Sequence, residues 1–374
     1  MSDEEQCEML EFFWVGCAMH KDLNGVKGGN AAMMNWWKET QTPGPVLLAN
    51  KDNAAVIDEI QDDNEEELTT AEKRALEISD SGGIKATTLA GFIFKDKDSK
   101  KGQQNMHQYW FEHKTNIKWK PFPDVANARF QSHCNAAAEL ILHLEKYVQF
   151  LEWVRDRKEK RRFSHIEGNL YKALNDSATI TELVVLALYA QVITHPYMKQ
   201  VRRPEGEEVN MLDLGPLHEK LKEHLQTIIA NPDLLLAIDA SYTTGAFDGR
   251  EWQNPDILKA TADLSTTLPY LKPVLVAFFA GALNTWERFT AEFAPGGLID
   301  QATPDQKWRA YMPTTNDPNE GQLGSLRQYS RKTSNFALHR YNALTMYKRN
   351  GTEAFLKKHS TPDLIQYIHK CARE

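Results

Sequence analysis

Residues 128–162 read ARFQSHCNAAAELILHLEKYVQFLEWVRDRKEKRR, the longest helical pattern in the chain. Ala136, Leu140, Leu144, Val148, Leu151 and Val154 recur every three or four positions. An α-helix turns once in 3.6 residues, so this spacing lays one apolar stripe along one face. The same period returns over residues 10–38, 69–78, 84–94, 103–114, 164–174 and 178–201. It continues over 217–229, 233–238, 255–264, 269–293, 335–348 and 361–371, with Gly- or Pro-bearing turns between. The fold class expected is therefore mainly α, predominantly helical with at most a few short strands. Residues 117–125, IKWKPFPDV, alternate briefly between prolines and are the best strand candidate, short or at an edge.

Three local expectations follow from punctuation. The Gly28-Gly29 pair should break the first helix, Pro196 should kink or end the apolar helix over 178–201, and the run DEIQDDNEEE within residues 52–67 should form a solvated acidic loop.

With 374 residues and 41% hydrophobic content the chain can bury a substantial core and is long enough for more than one domain. A net charge of −7 excludes a uniformly basic nucleic-acid binder while leaving room for a local basic face. Cys7, Cys17, Cys134 and Cys371 have no disulfide-like spacing, and the start MSDEEQCEM lacks the regions of a signal peptide. An intracellular, reduced protein is expected. The apolar run at 274–283 is too short to span a bilayer. No fixed-period repeat, P-loop, GxGxxG or Ser/His/Asp set is assignable; GPVLLANKDN lacks the Gly-Lys-Ser/Thr spacing of a phosphate cradle.

Polar residues are most specifically arranged over 312–332, MPTTNDPNEGQLGSLRQYSRK. Pro313 ends the preceding element, Asn316 or Asp317 can cap a new helix, and Glu320 falls in its first turn, where the helix dipole favours a carboxylate. Capping alone explains that pattern. Cys17 and His20 stand three apart, as half of a zinc site would, but no second compact pair follows; a core cysteine beside a hydrogen-bonded histidine is the competing reading. Arg155, Arg157, Lys158, Lys160, Arg161 and Arg162 form the strongest local basic cluster, either a solvated helix end or a phosphate-binding patch for DNA. Residues 199–203 add further cations to the DNA-binding reading.

Three landmarks together resemble the second half of a eukaryotic DDE transposase of the hAT or Kyakuja-Dileera-Zisupton kind, as seen in basidiomycete fungi. The first is CAMHKDLN, with Cys17, His20 and Asn24. The second is ARFQSH, with Arg129, Phe130 and Ser132 opening the long helix. The third is TTN-x-x-x-E, with Thr314, Thr315, Asn316 and Glu320. The resemblance implies an RNase H-like core, of which 1–125 would be a remnant, with a large helical insertion at 126–310 and the motif-bearing segment at 311–374. It also implies DNA as substrate, a nuclear location, Mg²⁺ or Mn²⁺ as cofactor, and Glu320 as the third metal-binding acid. Two clamping cations need several carboxylates. The family's two catalytic aspartates precede the Cys-x-x-His on core strands, whereas Asp3, Glu4, Glu5, Glu8 and Glu11 occupy the 16 residues before Cys17. The expectation is thus a transposase-derived chain that is catalytically incomplete as it stands. A helical interaction or scaffold protein, with Glu320 only a helix-start residue, is the alternative.

Overall fold

The computed structural model describes residues 12–62, 69–95, 102–115, 118–126, 131–203, 207, 209–333 and 335–373. Two compact units divide the chain, residues 1–315 and 316–374. Both are helical, and the described residues contain no sheet; isolated bridges pair Leu47 with Ser81 and Asn210 with Pro313.

The helices that position the candidate site in the first unit are α1 (Ala18–Glu39), α2 (Gly82–Lys95), α3 (Gln131–Leu142), α4 (Leu144–Arg157), α5 (Ser177–Tyr189), α6 (His195–Val201), α7 (Gly215–Ala230) and α8 (Leu271–Phe289). The second unit consists of α9 (Asp317–Lys332), α10 (Leu338–Arg349), α11 (Thr352–His359) and α12 (Pro362–Cys371).

The first unit is built around a nearly continuous buried rod, Ser177–Val201, made of α5, a π-helical turn at Ala190–Thr194 and α6. By length and composition this rod could cross a membrane, but 89% of its apolar window is buried among the other helices. Pro196 neither ends nor breaks it. A proline clashes with the carbonyl four residues earlier, and here the widened π turn separates the two. The orphaned Val192 carbonyl then accepts the backbone N–H of Phe247 at 2.9 Å.

α1 packs along α8 so closely that glycine is required. A Cβ on Gly28 would fall 1.9 Å from Thr285 Oγ1, and one on Gly281 would fall 2.7 Å from the Gly28 carbonyl. The Gly28-Gly29 pair therefore does not break α1, which runs unbroken through it. These glycines serve helix-to-helix approach instead.

Other local expectations are also corrected. The long pattern over 128–162 divides at His143 into α3 and α4, and α4 ends at Arg157. The acidic run DEIQDDNEEE, expected as a solvated loop or insertion, is helical over 58–62 at the end of a helix spanning Lys51–Asp62, and its residues 63–67 lie outside the described residues. The strand expected over 117–125 does not form over 118–125, where Pro121 and Pro123 cannot donate to a ladder; Ile117 lies outside the described residues. Phe122 in that stretch is nonetheless buried, against Phe94 and Tyr147. The start of α2 is capped from the rod: Glu182 Oε2 accepts the Gly83 N–H at 2.7 Å, and Oε1 accepts Trp37 Nε1–H at 3.0 Å. Gly82, at φ +77°, leaves room for that carboxylate.

In the second unit, α9 and α10 meet through Tyr329, Phe336 and Tyr341, and the Tyr341 hydroxyl donates to the Gln322 carbonyl at 3.0 Å. Tyr341 is its only buried apolar side chain among the described residues.

Candidate functional site

The first landmark and the two threonines of the third lie in the first unit, where Thr314 meets the start of α1. Cys17 is the N-cap residue of α1, and the next amide, Ala18 N–H, donates to the Thr314 carbonyl at 3.0 Å. Thr314 is buried, and its hydroxyl donates to the Val201 carbonyl at the end of the rod at 2.6 Å. Asn210 steadies the approach: its Oδ1 accepts the Met312 N–H at 3.2 Å and its Nδ2 donates to the Lys307 carbonyl at 2.7 Å. Thr315, half-buried, closes this unit. Cys17 is half-buried and His20 exposed, so Cys17 is not the core cysteine of the competing reading. Asn24 Nδ2 donates back to the His20 carbonyl at 2.7 Å, a bond within α1.

Below this junction lies a buried polar layer that the sequence reading missed. Lys21, 2% exposed, pairs with Glu292 and donates to the Phe289 carbonyl, and Glu292 also accepts the Gly16 amide at 3.2 Å. Burial lowers the Lys21 ammonium from its ordinary value, against the pull of Glu292. Asp22 is wholly buried; Thr194 in the π turn donates to its Oδ1 at 3.1 Å, and its Oδ2 has no hydrogen-bond partner among the described residues. Burial raises this carboxyl to about 7 despite the Thr194 bond. His218 Nε2 lies 2.9 Å from the Tyr197 hydroxyl, and burial, then the Lys21 charge, lowers it to about 3. The available sequence signal was faint: Lys21 and Asp22 sit between Met19 and Leu23 in a helix whose glycines announce neighbours on more than one side.

The other landmarks are dispersed or outside view. Arg129 and Phe130 lie outside the described residues; Ser132 Oγ accepts the Ala126 amide at 3.1 Å. Asn316 and Glu320 belong to the second unit. Asn316 is the N-cap residue of α9 without a side-chain cap bond. Its carbonyl accepts the amides of Asn319 and Glu320 at 3.1 and 3.0 Å, and its Oδ1 accepts Asn319 Nδ2 at 2.7 Å. Glu320 stands half-buried in the first turn, with Asp317.

Glu320 can be tested against the divalent metal that the resemblance implies. Such a cation takes six or more oxygens, commonly from several carboxylates. Among the described residues no group of three or more His, Cys, Asp or Glu is placed to hold an ion, so these donors do not complete the site by themselves.

The basic cluster at the end of α4 divides in two. Arg155 pairs with Asp156 at 2.8 Å and lies over the Phe163 ring, Arg157 lies over Trp153, and Lys158 pairs with the buried Glu167. These three hold the helix end to its surroundings. Lys160, Arg161 and Arg162 are exposed in the turn that follows, outside α4 although the pattern over 128–162 predicts helix there, with Arg161 at φ +43°.

No family model, curated protein or solved structure matches the chain.

Proposed function

We propose that this chain is transposase-derived, the later part of a DDE-type architecture related to metal-dependent DNA strand transfer, with Glu320 its last metal-binding acid. One observation carries the reading. The start of the Cys-x-x-His helix and Thr314 of the third landmark, separated by nearly the whole chain, are joined by the Ala18 to Thr314 backbone bond. A buried charged layer directly beneath them, Lys21, Asp22 and Glu292, is the kind of costly polar interior that functional regions retain.

Strand cleavage in this reading needs carboxylates beyond Glu320. The test is nicking of supercoiled plasmid in Mg²⁺ or Mn²⁺ by this chain, alone and extended by any residues that its gene encodes before residue 1. Metal-dependent nicking that Glu320→Gln abolishes supports the proposal. Nicking that survives the substitution, or none from the extended chain, overturns it.

The second reading, a noncatalytic helical scaffold, is favoured by how the junction's polar groups are used. Thr314 and Asn210 bond backbone groups of neighbouring segments, as purely structural ties do. It predicts that Glu320→Gln changes neither metal binding nor any action on DNA.

A further inference from the structure

The two units differ in charge. Residues 316–374 carry ten Lys and Arg against five Asp and Glu, leaving 34 against 46 in residues 1–315; the net charges are +5 and −12, together the chain's −7. All ten cations of the second unit are exposed, and among the described residues only Lys357 has an ion-pair partner, Glu353. They gather at the ends of successive helices: Arg331 and Lys332 on α9, Lys348 and Arg349 on α10, Lys357 and Lys358 on α11, Lys370 on α12. Tyr347, Phe355 and Tyr367 are exposed in the same unit.

We infer that residues 316–374 form a sequence-independent binding surface for the phosphodiester backbone of DNA. The helix dipole accounts for one cation per helix end at a gain of about 0.3–1 kcal/mol. It does not account for paired cations on three successive helices, whose mutual repulsion disfavours a unit with so small a core. A polyanion relieves that repulsion by releasing its counterions. Exposed aromatic rings beside the cations suit stacking on unpaired bases. Among the described residues no helix of this unit is long and apolar enough to cross a bilayer; attraction to an anionic lipid surface is the competing outcome of the test below. The inference deepens the transposase-derived reading by giving DNA a place on the chain, and it stands on charges that the motif argument does not use.

The full chain is titrated onto a fluorescein-labelled DNA duplex of arbitrary sequence, between about 50 and 200 mM salt. Lys348→Gln with Arg349→Gln, and separately Lys357→Gln with Lys358→Gln, should each weaken binding about tenfold and lower the salt slope by about 0.9 per lost phosphate contact. Lys357→Arg with Lys358→Arg should bind as the wild type does, which separates charge from folding. Unchanged slopes in both Gln pairs overturn the inference. So does an equal loss in Lys160→Gln, Arg161→Gln, Arg162→Gln, or binding to phosphatidylserine vesicles without binding to the duplex. Duplex binding is read in metal-free buffer and plasmid nicking in Mg²⁺ or Mn²⁺, so failure of the surface and failure of the proposed metal chemistry are told apart.

Discussion

The Ala18 amide donates to the Thr314 carbonyl at 3.0 Å, tying the start of α1 to a segment that also bonds the end of the central rod. The first amides of a helix have no partner within it, so a carbonyl from elsewhere fixes both the helix start and the segment supplying it. Thr314→Val keeps the shape and removes only the hydroxyl, leaving the Val201 carbonyl without that donor. A loss of about 1–2 kcal/mol is expected by urea denaturation. A neutral result would mean that water replaces the hydroxyl and that the tie contributes nothing.

Lys21 and Glu292 are the most consequential pair beneath that junction. Glu292→Gln keeps an acceptor for Gly16 but leaves a buried ammonium without its counter-charge. The expected cost is about 3–5 kcal/mol. Replacing both partners, Lys21→Met with Glu292→Leu, should recover much of it, since two desolvated charges disappear together. A double-mutant cycle in denaturant reads the coupling; additive losses would show that the two charges do not sense one another.

Asp22 gives a pH signature of known sign. Its folded value, about 7, lies above the ordinary 3.8, so the folded protein holds a proton that the unfolded chain releases in between. Its contribution is fully present below about pH 4 and is lost as the pH rises to about 7. Asp22→Asn should therefore match the wild type near pH 4 and exceed it by a few kcal/mol near pH 7.5. The difference between the two proteins is the useful measurement. Buried histidines, with His107, His133 and His195 lowered to about 4, make the whole protein gain stability as pH rises from about 4 to 6.5, the opposite slope. A pH-independent difference would place Asp22 in contact with water.

The helical class was legible because the 3.6-residue period is strong and helix starts carry their own chemistry, as at Thr69 and Ser164, both of which form capping boxes. What stayed hidden depends on distant partners. Lys21 and Asp22 look like surface charges until α8 and the π turn, each more than 150 positions away, close over them. Arg155 and Lys160 look alike in a basic run, yet one lies against Phe163 and the other faces water. Glycine is the most ambiguous letter: the property that lets it break a helix also lets two helices touch.

Gly28 and Gly321 separate those two meanings by experiment, since both lie inside helices and differ only in what surrounds them. A Cβ at Gly28 would meet Thr285 Oγ1 at 1.9 Å, and the Gly281 carbonyl behind it, at 3.0 Å, cannot move without shifting α8. A Cβ at Gly321 would meet nothing within 4 Å. Alanine in an open helical position gains about 0.5–1 kcal/mol over glycine by restricting the unfolded chain. Gly321→Ala should raise the denaturation midpoint of the second unit by that amount. Gly28→Ala should destabilise the first unit by about 1–3 kcal/mol, because overpacking outweighs the helix propensity gained. If Gly28→Ala instead stabilised the protein, α1 and α8 would have to lie farther apart than described, and the glycines would be helix weaknesses rather than contact points.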